Sequence, residues 1–195
     1  AAAPAPLLHK AAAGNDRLHL AALIIFIVSM ILLYAASTVY HTLDISEKVN
    51  RILRKLDHMM IFILIAGTYT PVCLIVLGDR SGYTLLAAVW AIALVGMTVN
   101  ALWINCPKWF SSLVYIAMGW FCLTAIRQIL LALPRAAFLW LLAGGLIYTA
   151  GGVIYALKLP IFNRRHQTFG SHEIFHLFVM GGSLCHYIMM YAFVA

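Results

Sequence analysis

The sequence predicts an all-α, polytopic membrane protein, and two observations carry that reading. Hydrophobic residues fill 64% of its 195 positions and charged residues only 10%, a balance that soluble domains of this size do not have. Several apolar runs approach or exceed about 18 residues, the length that reads as a transmembrane helix. The net charge of +7 therefore gives no sign of a nucleic-acid partner, because basic residues in such a chain mostly set its orientation in the membrane. Residues 1–195 read as a single transmembrane domain with no separate soluble module.

The elements follow in order. Residues 1–13, "AAAPAPLLHKAAA", read as the tail of a first span whose beginning is missing. Six full spans follow near 18–42, 57–77, 83–104, 111–133, 136–157 and 172–194. Pro71 predicts a kink in the second, with Gly67 and Thr68 one turn before it. Gly144, Gly145, Gly151 and Gly152 in the fifth, and Gly181 and Gly182 in the sixth, suit close helix packing. Cys73, Cys106, Cys122 and Cys185 show no C-x-x-C spacing and read as small apolar packing residues.

The loops alternate sides. Those near 43–56, 105–110 and 158–171 carry Lys48, Arg51, Arg54, Lys55, Lys108, Lys158, Arg164 and Arg165. The opposite side carries Lys10, Arg17, Arg80, Arg127 and Arg135. The excess places the first side in the cytoplasm and the C-terminus outside. In "SEKVNRILRKLD", Val49, Ile52, Leu53 and Leu56 fall at helical spacing amid basic residues. That predicts a short amphipathic helix lying on an anionic leaflet.

Charged side chains at or inside spans are costly and usually functional. Three polar clusters stand out. "STVYH" ends the first full span with Ser37 and His41 one turn apart on one face. "LDHMM" opens the second with Asp57 and His58. "HEIFH" opens the last with His172 and His176 one turn apart. Because spans alternate in direction, all three clusters belong to one membrane face at similar depth. Histidine is the commonest zinc ligand, and three histidines with an open fourth position form the ligand set of a catalytic zinc. Iron or manganese fits less well without a carboxylate ligand. His58 points about 100° away from Asp57, and His186, about 15 Å deeper than His176, reads as a packing or hydrogen-bonded residue. His9, His19 and His166 read as loop or interfacial residues. The string H-E-x-x-H also spells a zinc-protease motif with Glu173 as general base. Residues 177–195 offer no carboxylate as a third ligand, so that reading needs one from upstream.

At these residues the chain resembles a known family. "YAASTVYH", "LRKLDHMMIFILIAGTYTP", "YIAMGW" and "HEIFHLFVMGGSLCHY" are similar to the bacterial haemolysin III family, the prokaryotic branch of the progestin and adipoQ receptor superfamily. The resemblance runs from about residue 18 to the end. It implies a seven-transmembrane helix bundle with a cytoplasmic N-terminus, an external C-terminus and residues 1–13 as the remnant of the first helix. It also implies that His41, His172 and His176 are zinc ligands and that Ser37 and Asp57 lie near the metal-bound water. Glu173 gains no role from it.

The leading expectation is a zinc-dependent hydrolase of a lipid amide or ester in a bacterial plasma membrane, with a membrane lipid or fatty-acyl substrate. Asp57 would orient or deprotonate the water and Ser37 would hydrogen-bond it or an oxyanion. A non-enzymatic membrane-homeostasis sensor or pore-like cytolysin with structural zinc is the alternative, and an intramembrane zinc protease the third reading.

Overall fold

The computed structural model describes residues 4–14, 16–103, 108–157 and 171–195, with Lys108, Ser171 and His172 described by backbone alone. Among these residues the chain forms helices and no strand. Six helices are long and apolar enough to cross a membrane: Arg17–Thr42, Glu47–Leu77, Arg80–Leu102, Trp109–Ala132, Arg135–Leu157 and Glu173–Val194. A shorter helix, α1 (Pro4–Ala13), precedes them and buries Leu7 and Ala11. The helices divide into two compact units, residues 1–104 with 194–195 and residues 105–193.

In the first unit α2 (Arg17–Thr42) starts on Asp16, whose carboxylate accepts from the Leu18 and His19 amides at 2.9 and 3.4 Å. Such caps satisfy amides that a helix start leaves open. Helix α3 (Glu47–Pro71) starts on Ser46 and runs without a break through the amphipathic stretch into the membrane segment. The separate surface helix expected over these residues is therefore the projecting end of a span. The physical reason is that nothing between Leu53 and His58 breaks a helix, and the only cap lies at Ser46.

Pro71 ends the α-helical part of that span, which continues as a wider π turn, Val72–Leu77. Proline has no N–H to close the preceding turn. Gly78 then reverses the chain at φ 60°, a conformation glycine adopts without strain. Helix α4 (Arg80–Leu102) is capped by Asp79, which accepts from Ser81 Oγ at 2.6 Å and the Gly82 amide at 2.9 Å. The Ser81 hydroxyl, then the Gly82 amide, hold this carboxyl below its ordinary range.

Close contacts fix the register within this unit. A side chain at Gly67 would strike Ser29 of α2, and one at Gly96 would strike the ring of Phe62. Trp90 Nε1 donates to Thr70 Oγ1 at 3.3 Å, and Lys55 Nζ donates to the Ala101 carbonyl at 2.7 Å. Helix α3 is thus the antiparallel neighbour of both α2 and α4.

The second unit holds α5 (Lys108–Gly119), a 3₁₀ segment (Trp120–Ala125), α6 (Ile126–Ala132), α7 (Arg135–Leu157) and α8 (Ser171–Met189), which ends in a π turn, Met190–Val194. The seam between α7 and α8 is closed by small residues. Added side chains at Gly144, Gly151 and Gly182 would meet His186 Nε2 at 2.7 Å, Phe178 Cβ at 2.6 Å and the Tyr148 ring at 2.7 Å. The packing role expected of these glycines holds there. It does not extend to Gly145, where an added side chain would meet nothing within 4 Å among the described residues. Trp120 Nε1 donates to Thr149 Oγ1 at 2.8 Å and ties α7 to the 3₁₀ segment.

Candidate functional site

The polar end of the first unit is built from α2 and α3. Asp57 stands ten positions before Gly67, and ten positions after Ser29 comes Val39. The Gly67–Ser29 contact thus sets Asp57 at the depth of Val39, between Ser37 and His41. The sequence brought these three residues to one membrane face, and the register brings them to one level.

Asp57 is 5% exposed and Ser37 9% exposed, whereas His41, in the last turn of α2, is exposed. Asp57 does not cap its helix. It lies in the eleventh position of α3, and Ser46 does the capping. Its recorded partner among the described residues is His58 Nδ1, 4.0 Å from Oδ2, beyond hydrogen-bond reach. That same nitrogen donates to the Arg54 carbonyl at 2.7 Å, so His58 is held by its own helix.

A buried carboxylate that lacks a close donor is costly. Elsewhere in the same unit the buried hydroxyls are satisfied locally. Ser29 Oγ donates to Phe26 O at 2.7 Å, Thr68 Oγ1 to Leu64 O at 2.8 Å and Thr70 Oγ1 to Ala66 O at 2.9 Å.

The other two expected ligands are on α8. Tyr155 of α7 and Phe175 of α8 pack with ring centroids 4.9 Å apart, which sets His176 near the C-terminal end of α7. His176 is half-buried and its ring lies 5.8 Å from that of Phe175. Glu173 is exposed. His172 begins the same helix, but its side chain lies outside the described residues. Among the described residues no group of three or more His, Cys, Asp and Glu side chains is placed to hold a metal ion. His166 also lies outside the described residues.

His186 is a packing residue. It is 6% exposed, fits against Gly144 and stacks on Tyr148 at 5.4 Å and 20°. The Tyr148 and Ser183 hydroxyls pair beside it at 2.8 Å.

Two features escaped the sequence reading. Lys55, expected on the basic solvent face, instead bonds the end of α4, and nothing in the sequence links it to Ala101. Ser111 and Ser112, 7% and 3% exposed, are buried hydroxyls at the start of α5. A side chain added at Gly152 would meet Ile116 Cδ1 at 3.2 Å, so this serine pair belongs to the same end of the second unit as His176. Its signal was a polar pair at the head of an apolar run.

Known proteins resemble this chain over most of its length. A family model described as haemolysin-III related matches residues 2–187. The hemolysin-3 homolog of Bacillus subtilis (strain 168) is 39% identical over 159 residues, covering 82% of this chain and 70% of that one. Hemolysin-3 of Bacillus cereus is 40% identical over 156 residues, covering 80% and 67%. The adiponectin receptor protein of Drosophila melanogaster is 27% identical over 182 residues, covering 83% of this chain and 40% of the receptor.

Proposed function

The chain belongs to the haemolysin-III-related family, within the progestin and adipoQ receptor superfamily, and from that premise we propose that this multi-pass membrane protein is a zinc-dependent hydrolase of a lipid amide or ester bond. The observation that carries the reading is Asp57. It is a buried carboxylate without a hydrogen-bonding partner among the described residues, level with Ser37 and His41 at the mouth of a helix pair.

The donor set suits zinc. His41, His172 and His176 would hold it as three neutral imidazoles and leave a fourth position open. A carboxylate beside the ligands would offset part of the cation's charge, which suits the buried Asp57 to this place. Zinc bound there would polarise a carbonyl and acidify a water. The chain's own residues do the rest. Asp57 accepts the proton lost by the attacking water at its carboxylate oxygen and returns it to the leaving amine or alcohol. The Ser37 hydroxyl donates to the carbonyl oxygen as negative charge builds on it. The apolar sides of the helices receive the acyl chain.

The test is turnover of defined lipid amides and esters by purified, reconstituted protein. Asp57→Asn should keep its zinc and lose at least about 100-fold in rate, the scale of a missing general base. Glu173→Gln should keep zinc and most activity. The opposite pattern would hand the site to the H-E-x-x-H protease reading.

The basic excess on the Lys48–Lys55 side supports a cytoplasmic position for this mouth. A cysteine introduced at Ala195, in a background without native cysteines, should then react with impermeant reagents only from outside. A second reading, a membrane-lytic protein with structural zinc, draws on the hemolysin-3 name of the Bacillus cereus relative. It expects Asp57→Asn to leave function intact.

A further inference from the structure

The first turns of α3 offer a more specific clue to the lipid. The span Glu47–Leu77 has 31 residues, about 46 Å of helix, against a hydrocarbon core of about 30 Å. Its apolar part begins at Met59, and from there to Leu77 it is about 28 Å long. The edge of the hydrocarbon therefore falls at Asp57 and His58. Arg54 stands about 4.5 Å further out, within the headgroup layer, which is about 5–7 Å thick on each side. Arg51 stands about 9 Å out, beyond that layer by less than one helical turn, a distance its long side chain spans.

The two arginines also share a face. Arg54 lies about 60° and Arg51 about 120° round the helix from Asp57, on the side of His58. Val49, Leu53 and Leu56 lie on the other side, so Asp57 sits at the border between a cationic strip and an apolar one. Both arginines are exposed, and neither guanidinium takes an ion-pair or hydrogen-bond partner among the described residues. Of the neighbouring charges, Lys55 is engaged with Ala101 and Asp44 with Asn50 Nδ2 at 2.6 Å. Glu47 lies on the same strip about 6 Å beyond Arg51, outside the layer.

We propose that Arg51 and Arg54 seat the phosphate of an anionic phospholipid, and that the lipid served by the Asp57 mouth is a phosphate-bearing acyl lipid. Guanidinium suits phosphate because its planar fork donates two parallel hydrogen bonds to a pair of oxygens. In a bilayer the acyl carbonyl lies just inside the phosphate. A phosphate on Arg54 therefore puts the carbonyl at the level of Asp57. The second half of the proposal rests on the hydrolase reading, whereas the first stands without it.

The test is binding of phosphatidylglycerol and phosphatidylcholine to the full chain in detergent, read by native mass spectrometry. Phosphatidylglycerol should bind about tenfold more tightly or better. Each basic side chain at a membrane surface contributes on a scale equal to about fivefold in affinity. R54Q should therefore lose about fivefold and R51Q/R54Q about 25-fold, while R80Q, at the far end of α4, should stay within twofold. An unchanged lipid preference in the double variant, or an equal loss in R80Q, would overturn the site. Millimolar glycerol phosphate should not displace the lipid; displacement would mark a soluble-phosphate site and overturn the lipid assignment.

Should the double variant fail to fold, hydrogen exchange on the wild-type chain decides. Phosphatidylglycerol should protect residues 48–57 and not 79–84, and the reverse would overturn the proposal. Intact binding without turnover in the wild type would reject the hydrolase reading alone.

Discussion

The seam between α2 and α3 carries polar residues at two depths, and they behave differently. In the middle, Ser29, Thr68 and Thr70 are buried, and each gives its hydroxyl hydrogen to a carbonyl one turn back in its own helix. These groups are silent, because the helix satisfies them; Gly67 closes over Ser29, and Thr70 Oγ1 takes a further bond from the Trp90 indole of α4. At the mouth, Ser37 and Asp57 are buried to a similar extent, yet no hydrogen bond satisfies either among the described residues. Burial alone therefore does not mark a site in a membrane protein. An unpartnered atom alone does not mark one either, since the buried His186 Nδ1 takes no partner among the described residues and its ring simply packs on Tyr148. What sets the mouth apart is that Ser37 and Asp57 lie at one level and neither is bonded by its own helix.

The comparison can be broken by moving polarity at each depth. The largest effect after Asp57→Asn should come from Ser37→Ala. Loss of a donor to a developing oxyanion costs about 100-fold or more in turnover, with little change in thermal stability. Turnover within twofold of wild type would show that the mouth hydroxyl is as silent as the inner ones. Gly67→Leu should do the reverse. Its side chain has no room against Ser29, and overpacking of this kind costs about 1–3 kcal/mol. The melting temperature in detergent should drop, and zinc content per folded chain should stay unchanged. The smallest effect belongs to Ser29→Ala. Its hydroxyl bonds only within α2, so stability should move by less than about 1.5 kcal/mol and turnover by less than twofold. A large activity loss there would place the functional polarity deeper than the mouth.

Much of this fold was legible in the sequence, and the exception is instructive. Five of the six spans begin and end within a few residues of the apolar runs. The second begins at Glu47 rather than near residue 57, because hydropathy reports where the membrane starts and capping reports where the helix starts. Ser46 gave the second signal, and it lies eleven residues before the first. The break in α-helical bonding at Pro71, where the span passes into a π turn, was readable from a missing N–H. The 3₁₀ segment at Trp120–Ala125 was not, since "WFCLTA" contains neither proline nor glycine.

At the site, residue types and helix direction named Ser37, His41, Asp57, His172 and His176 and brought the first three to one membrane face. What sequence did not disclose was register. Only the contact of Gly67 with Ser29 sets Asp57 opposite Val39, and such long-range packing leaves no periodic trace. The ties from Lys55 to Ala101 and from Tyr148 to Ser183 were hidden for the same reason.

The central claim is that the mouth residues hold a metal and the inner ones do not. The most direct measurement is zinc per chain, by elemental analysis, in purified wild type, His41→Ala and Ser29→Ala. The account predicts about one zinc per chain in wild type and Ser29→Ala, with most of it lost in His41→Ala. Full zinc in His41→Ala, with the protein folded and monodisperse, would contradict it.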